Sequence, residues 1–320
     1  MFLVNRIMSN RWKLFIFLLV LMAVTLWLAA ISYPGRNLRV IACDVGQGDA
    51  FLVIRGKTEI LVDGGPGNKV INCLNNYLPF WDREIEVIVL THPQADHYSG
   101  LIEVFENYSV KYFLANALDS SSSNYSVLKS LVGGSQTVII NPTSSVSMRL
   151  DLIYLDILSP SSEFLADNSV TTYEQKDRRT KELYQTNNGV LGAYTSEQDP
   201  NQFSIVAMLS YGEFDALFTG DIDNKLSDDL AEIIKQKYNK PLEYIKVPHH
   251  GSKNGLSQSL LGSSNWKIGV ISVGKNNSYG HPHQEVLKIL GEKDIKILRT
   301  DEMGDVVIAT DGKNLIIPEN

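Results

Sequence analysis

Hydrophobic and polar positions alternate along this chain in a way that divides it sharply. The first segment, MFLVNRIMSNRWK, carries Arg6, Arg11 and Lys13 and no acid, and LFIFLLVLMAVTLWLAAI follows from Leu14 to Ile31 with Thr25 as its one polar member. Eighteen such residues in a helix span roughly 27 Å, enough to cross most of a bilayer core. Behind a short linker, SYPGRN, the pattern changes to short apolar runs broken by turn residues. LRVIACDV, AFLVIRG and TEILVDGG are separated only by GQGDA and GK, which predicts an antiparallel meander. NKVINCLNNYL reads as a helix, EIEVIVL as a strand, and SGLIEVFENY as a helix with Leu101, Val104 and Phe105 on one face.

A weaker strand–helix pattern continues through VKYFLANAL and NYSVLKSLV, then the strands TVIINP and DLIYLDILSP. From Ser161 to Pro200 the chain turns polar and shows no strand period, although Glu174–Tyr184 suits a helix. An insertion of that length is either a lid or binding element or a solvated surface excursion. Order returns with SIVAMLSYG, DALFTGD, YIKVPHHGS and IGVISVG, then the helix HQEVLKILG and terminal strands with a hairpin at Asp311-Gly312. Strand–helix units in both halves predict two sheets packed face to face with helices outside. The expected organisation is an anchor over residues 1–32, a linker over 33–37 and a folded domain over 38–320.

The basic flank before the apolar segment predicts that the N-terminus stays in the cytoplasm and the remainder is exported. Ala30-Ile31-Ser32 resembles a small-x-small cleavage site, so a signal peptide is the alternative; the apolar run exceeds the usual signal core of about 7–15 residues and favours an uncleaved anchor. The net charge is −7, and the first 32 residues carry +3, leaving about −10 on the rest. That excludes a broad basic surface for holding nucleic acid, though not an enzyme that meets phosphodiesters through metal ions. Cys43 and Cys73 lack CxxC spacing. Two buried thiols are the simpler expectation, and a disulfide is open to an exported domain.

All six histidines fall in three close pairs at strand ends or the loops behind them: His92 and His97, His249 and His250, His281 and His283. In HPQADH, Asp96 and His97 are adjacent beyond His92; in LFTGD, Gly220 allows a turn and Asp221 closes a strand. Imidazole and carboxylate without thiolate point to Zn²⁺, Mn²⁺ or Fe²⁺ at a reactive site rather than to a closed structural zinc. A carboxylate at Asp221 suits bridging of two ions about 3.5–4 Å apart, and such a centre activates water near neutral pH.

HxxxDH after an apolar strand, then TGD, then HHGS, resembles the metallo-β-lactamase superfamily. Within it, CDVGQGDA, LVDGG, THPQADHYSGL, LFTGD, KVPHHGSK, ISVGKNNSYGHPHQEVL and RTDEMGDVVIATDG are similar to the β-lactamase-like domain of ComEC-type DNA-uptake proteins, in order from about Leu38 to Gly312. The resemblance implies an αββα sandwich with one or two divalent ions, Zn or Mn, at one edge. It implies His92, Asp96, His97, Asp221 and His249 as metal ligands, Asp63 as support of the ligand loop, and His250, Ser252, His281 and His283 as catalytic or substrate-binding groups.

Two departures qualify what is carried over. Gln94 stands where the superfamily often has His, and no histidine lies between His97 and Asp221; Asn201 falls near the missing ligand. Harder oxygen donors there favour Mn²⁺ and weaken one of the two metal positions. ComEC proteins are polytopic, whereas this sequence shows one span, so the chain is not expected to form a DNA channel itself. The expectation is a membrane-anchored, extracytoplasmic hydrolase of phosphodiesters using a metal-activated water, first of all a nuclease. The alternatives are a cell-envelope phosphodiesterase of phosphorylcholine or teichoic-acid type and a degenerate, non-catalytic binding module. β-Lactam hydrolysis is not expected, because fold does not fix substrate.

Overall fold

The computed structural model describes residues 10–31, 35, 37–171 and 189–317. The chain divides into two units between Gly35 and Arg36. In the first, helix α1 runs from Asn10 to Ile31. Its 22 residues rise about 33 Å, and its apolar side chains are exposed on every side from Trp12 to Leu28. Thr25 hides its hydroxyl by donating to the Met22 carbonyl at 2.8 Å, so even this polar residue suits an apolar surrounding. The helix is long and apolar enough to cross a membrane.

The second unit is built on two sheets. The first contains β1 (Leu38–Ala42), β2 (Phe51–Arg55), β3 (Thr58–Val62), β4 (Glu84–Leu90), β5 (Ser109–Ala115) and β6 (Val138–Ile140), with β16 (Val306–Thr310) and β17 (Leu315–Ile316) added beside β1. β1, β2 and β3 form the expected antiparallel meander, while β3, β4, β5 and β6 pair in parallel. The second sheet contains β7 (Ser147–Leu150), β8 (Ile153–Ser159), β11 (Val206–Tyr211), β12 (Phe214–Phe218), β13 (Tyr244–Lys246), β14 (Ile268–Ile271) and β15 (Lys296–Arg299). Here β12 to β15 run parallel and the others antiparallel.

Alternation along each strand sends side chains into two different cores. Val40, Phe51, Val53, Ile60, Val62, Val87 and Val89 meet Leu155, Ile157, Leu209, Phe218, Tyr244 and Val270 between the sheets, where the Phe51 and Phe218 rings contact edge to face at 5.7 Å. The intervening residues Ile41, Leu52, Leu61, Ile85 and Ile88 face outward and are covered by α2 (Lys69–Tyr77), α3 (Ala95–Asn107) and α4 (Ser123–Gly134). The second sheet's outer face is covered likewise, by α6 (Asn224–Lys237), α7 (Gln258–Leu261) and α8 (Gln284–Gly291). The result is the αββα sandwich expected from the sequence. Strands buried on both faces carry nearly continuous apolar runs, as in the VIVL half of β4 and the IGVI of β14.

Three local findings refine the sequence reading. Cys43 and Cys73 form a disulfide, correcting the expectation of free thiols; folding brings the end of β1 against α2, with the two Cα atoms 5.8 Å apart. The polar insertion starts as helix α5 (Ser162–Asn168), and its flanks pair as β9 (Val170–Thr171) with β10 (Tyr194–Thr195). Strands of two residues are too short to show any period. The helix expected over Glu174–Tyr184 lies outside the described residues. The last hairpin turns through 311–314 after the one-turn α9 (Thr300–Met303) and β16, and the Asp311 carboxylate accepts from the amides of Lys313 and Asn314.

Candidate metal centre

The carboxyl ends of parallel strands from both sheets meet at one edge, the usual location of a site in such sheets. Asp63 follows β3, Thr91 and His92 follow β4, Asp221 lies just beyond β12, His249 and His250 just beyond β13, and Ser272 follows β14. Asp96 and His97 lie in the first turn of α3. This helix approaches the β3 turn so closely that a Cβ on Gly100 would sit 2.0 Å from the Gly64 carbonyl oxygen. Gly100 N donates to Gly65 O at 2.8 Å, and Gly64 N donates to His97 O at 2.7 Å.

Asp63 organises the ligand loop. Its Oδ1 accepts from Thr91 N and its Oδ2 from Thr91 Oγ1, both at 2.7 Å. The same Oδ2 lies 2.8 Å from His97 Nδ1, so His97 turns its Nε2 toward Asp221 Oδ2 at 3.3 Å. His250 is held in the same manner: Nδ1 meets Ser272 O at 3.0 Å, and Nε2 stands 3.2 Å from Asp221 Oδ2 and 3.6 Å from Asp96 Oδ2. Asp96, His97, Asp221 and His250 each offer one donor atom, all within 4.8 Å of one another.

Neither His97 Nε2 nor His250 Nε2 makes a hydrogen bond of good geometry among the described residues, although both are fully buried. Two buried imidazole nitrogens aimed at a space shared with two carboxylates fit a divalent cation, and the mixed donor set suits zinc or manganese. Without a cation, burial opposes charge on the imidazoles, but Asp221 beside both, with Asp63 at His97 and Asp49 at His250, holds them well above the ordinary histidine range. Burial would raise Asp221; His250, Lys246 and His97 overcome it and hold the carboxyl well below the usual range.

His250, expected to act on substrate, lies within this donor group, and the expected ligand His249 lies beside it. His249 and His250 both adopt left-handed backbone, with φ of 51° and 54°. That turn buries His250 and leaves the His249 side chain 31% exposed, its Nε2 4.0 Å from Asp221 Oδ2. His249, His281 and His283 form a rim: the ring centroid of His281 is 5.9 Å from that of His249 and 5.0 Å from that of His283. Burial, with His250, His283 and His249 nearby, pushes His281 down to about 4. Tyr279, 67% exposed, stacks on His281 at 5.7 Å.

The remaining expected residues are spread around this group. His92 is buried with its ring 4.1 Å from that of His97, its Nδ1 is 3.0 Å from Thr91 Oγ1, and burial, with His97 beside it, pushes it down to about 3. Its Nε2 and the Oδ1 of buried Asn201 lack hydrogen-bond partners among the described residues. Gln94 caps α3 with extended backbone and makes no side-chain cap. Ser252 Oγ accepts from Asn254 N at 3.3 Å, a role in its own turn.

Two buried residues at the centre escaped the reading of the sequence as site groups. Asp49 Oδ1 lies 3.3 Å from His250 Nδ1, and its Oδ2 pairs with Lys246. Lys246 is 1% exposed in β13, with Nζ 3.0 Å from Asp221 Oδ1 and 2.5 Å from Gly220 O. The available signal was a lone charge inside the apolar run YIKVP, since lysine is almost never fully buried unless paired.

A sequence model of the metallo-beta-lactamase superfamily matches residues 43–275. The ComE operon protein 3 of Bacillus subtilis is 34% identical over 106 residues, 33% of this chain and 13% of that protein. Recombination protein 2 of Haemophilus influenzae is 24% identical over 274 residues, 84% of this chain and 28% of that protein. The competence protein ComA of Neisseria gonorrhoeae is 33% identical over 106 residues, 33% of this chain and 15% of that protein. The chain thus spans less than a third of the length of these relatives. Among solved structures, the metallo-beta-lactamase fold protein YhfI of Bacillus subtilis has a TM-score of 0.50 at 9% identity, covering 85% of this chain and all of that one. The likeness extends to the fold alone.

Proposed function

Because this chain belongs to the metallo-β-lactamase superfamily, we propose that it is a metal-dependent phosphodiesterase, most readily a nuclease, held at the membrane by α1 with its catalytic domain outside the cytoplasm. The observation that carries this reading is the convergence of Asp96, His97, Asp221 and His250 on one space, with both imidazole Nε2 atoms unsatisfied. Those four residues are the proposed ligands. A divalent ion bound there supplies a Lewis acid for a phosphoryl oxygen and lowers the pKa of water.

The chain's own groups do the rest. Asp63 and Ser272 fix the two ligand imidazoles through their Nδ1 atoms, so neither ring rotates away. His281, held neutral by its low pKa, and His283 offer hydrogen bonds to non-bridging oxygens of a phosphodiester at the rim. His249, more exposed than His250, would hydrogen-bond the leaving oxygen as negative charge develops on it, the proton itself coming from solvent. The competence relatives support a nucleic-acid substrate. Arg6 ahead of α1, with Arg11 and Lys13 in its first turn, supports a cytoplasmic N-terminus and an exported domain.

The test is release of acid-soluble nucleotide from single- and double-stranded DNA by the full chain in detergent with Mn²⁺ or Zn²⁺. Release that is lost with chelator and in Asp221→Asn supports the proposal. No release by metal-loaded protein contradicts the nuclease reading; cleavage of a phosphorylcholine or teichoic-acid diester instead assigns the centre to envelope chemistry.

A further inference from the structure

We infer that this centre takes a single divalent cation, and that the buried ammonium of Lys246 stands permanently where a two-metal centre would need its second positive charge. The inference rests on the metal-centre reading above and adds the number of ions and the residue that sets it.

The two oxygens of Asp221 meet different groups. Oδ2 faces the ligand space, 3.3 Å from His97 Nε2 and 3.2 Å from His250 Nε2. Oδ1 faces the other way and lies 3.0 Å from Lys246 Nζ. A carboxylate that offers one oxygen to each of two ions needs both oxygens free; here one is engaged by an ammonium of the same chain. Lysine has three N–H donors, and Lys246 has three acceptors around it: Asp221 Oδ1, Gly220 O and Asp49 Oδ2. The ammonium is 1% exposed, hydrogen-bonded to Asp221 and Gly220 and ion-paired with Asp49, so it is held in place beside Asp221 Oδ1.

The donor chemistry around it agrees. Among the described residues, two groups of His, Cys, Asp or Glu converge closely enough to share an ion. One is the proposed ligand set. In the other, Asp49 with Asp63 and His97, the Asp49 carboxylate is ion-paired with Lys246, and Asp63 is engaged by Thr91 and His97 Nδ1. His92, whose imidazole would serve a second ion, belongs to neither group. The residues expected beside it, Gln94 and Asn201, bring neutral amides rather than imidazole or carboxylate. One divalent ion with one ammonium already sets three positive charges against Asp49, Asp63, Asp96 and Asp221.

The full chain, purified in detergent and stripped with chelator, would be titrated with Mn²⁺ and separately with Zn²⁺ by calorimetry, with metal content measured after desalting. One equivalent is expected for the wild type. In Lys246→Gln, which frees Asp221 Oδ1 and the Asp49 carboxylate, a second equivalent is expected within about tenfold of the affinity of the first. Should that variant fail to fold by circular dichroism, Lys246→Gln with Asp49→Asn removes the ion pair while still freeing Asp221 Oδ1, and the same gain is expected. Two equivalents of similar affinity in the wild type overturn the inference, as does a stoichiometry of one in the folded variant. One equivalent without phosphodiester cleavage leaves it standing and defeats the proposed activity; two equivalents with cleavage do the reverse.

Discussion

Asp63 Oδ2 lies 2.8 Å from His97 Nδ1, and the same carboxylate accepts both the amide and the hydroxyl of Thr91. One buried side chain thereby ties the end of β3 to the end of β4 and to the first turn of α3. Asp63 adopts φ of 60° to do so. Removing it leaves an imidazole N–H and a backbone amide unpaired in the interior. Asp63→Ala is expected to weaken metal binding about 10–100-fold, the usual effect of losing a group that orients a ligand. Calorimetric titration with Mn²⁺ measures this; unchanged affinity would show that His97 is held by packing alone.

α3 reaches the centre only because Gly100 has no side chain. A Cβ there meets the carbonyl oxygens of Gly64 at 2.0 Å and Gly67 at 2.7 Å, both backbone atoms that cannot swing aside. Gly100→Ala is expected to lower stability by about 1–3 kcal/mol, the range for overpacking. Because the displaced helix carries Asp96 and His97, metal affinity should fall with it. Urea unfolding and metal titration of the same sample check both effects; a stable variant with full affinity contradicts the account of the contact.

The disulfide closes a loop of 30 residues from β1 to α2. By the chain-entropy model such a closure restricts the unfolded chain by roughly 3–4 kcal/mol at 25 °C. The double variant Cys43→Ser, Cys73→Ser should lose about that much in denaturant unfolding. Treating the wild type with reductant should approach the same midpoint, and a shift well under 1 kcal/mol would contradict the estimate of its contribution.

Glu59 supplies a pH dependence away from the centre. It is 1% exposed in β3, and neither carboxyl oxygen has a hydrogen-bond partner among the described residues. Burial, then the charges of Asp82, Glu86 and Glu84, push it from its ordinary 4.5 to about 8. The folded state therefore holds a proton that the unfolded state loses between those values, so this group lowers stability as pH rises through that window and adds no further loss above it. Glu59→Gln should match the wild type near pH 5 and melt at a higher temperature at pH 8 and above. Parallel melts across pH 5–9 test this; equal melting temperatures at pH 8.5 would contradict it.

Much of the fold was legible because both sheets are buried on two faces, so strands such as EIEVIVL and AFLVIRG stand out as apolar runs between turn residues. The place where donors gather was legible for a related reason: Asp96, His97 and Asp221 lie behind such strands and converge, whereas His92, from the same loop, stands outside that group. The choice between His249 and His250 was not. Two adjacent residues of one type differ in role only through the left-handed turn they share, and no side-chain pattern reports backbone handedness. Asp49 and Lys246 are separated by 197 positions and become a pair only when β13 is laid beside the loop after β1. The disulfide depended likewise on a contact between distant segments. β9 and β10 were too brief for any period to register.

The most direct test of the metal centre is anomalous diffraction from crystals grown with Mn²⁺ or Zn²⁺, collected on both sides of the metal's absorption edge. A peak within about 2.0–2.3 Å of His97 Nε2, His250 Nε2 and oxygens of Asp96 and Asp221 is the predicted result. A peak centred among His249, His281 and His283, or none at Asp221, would contradict the ligand set on which the proposed activity stands.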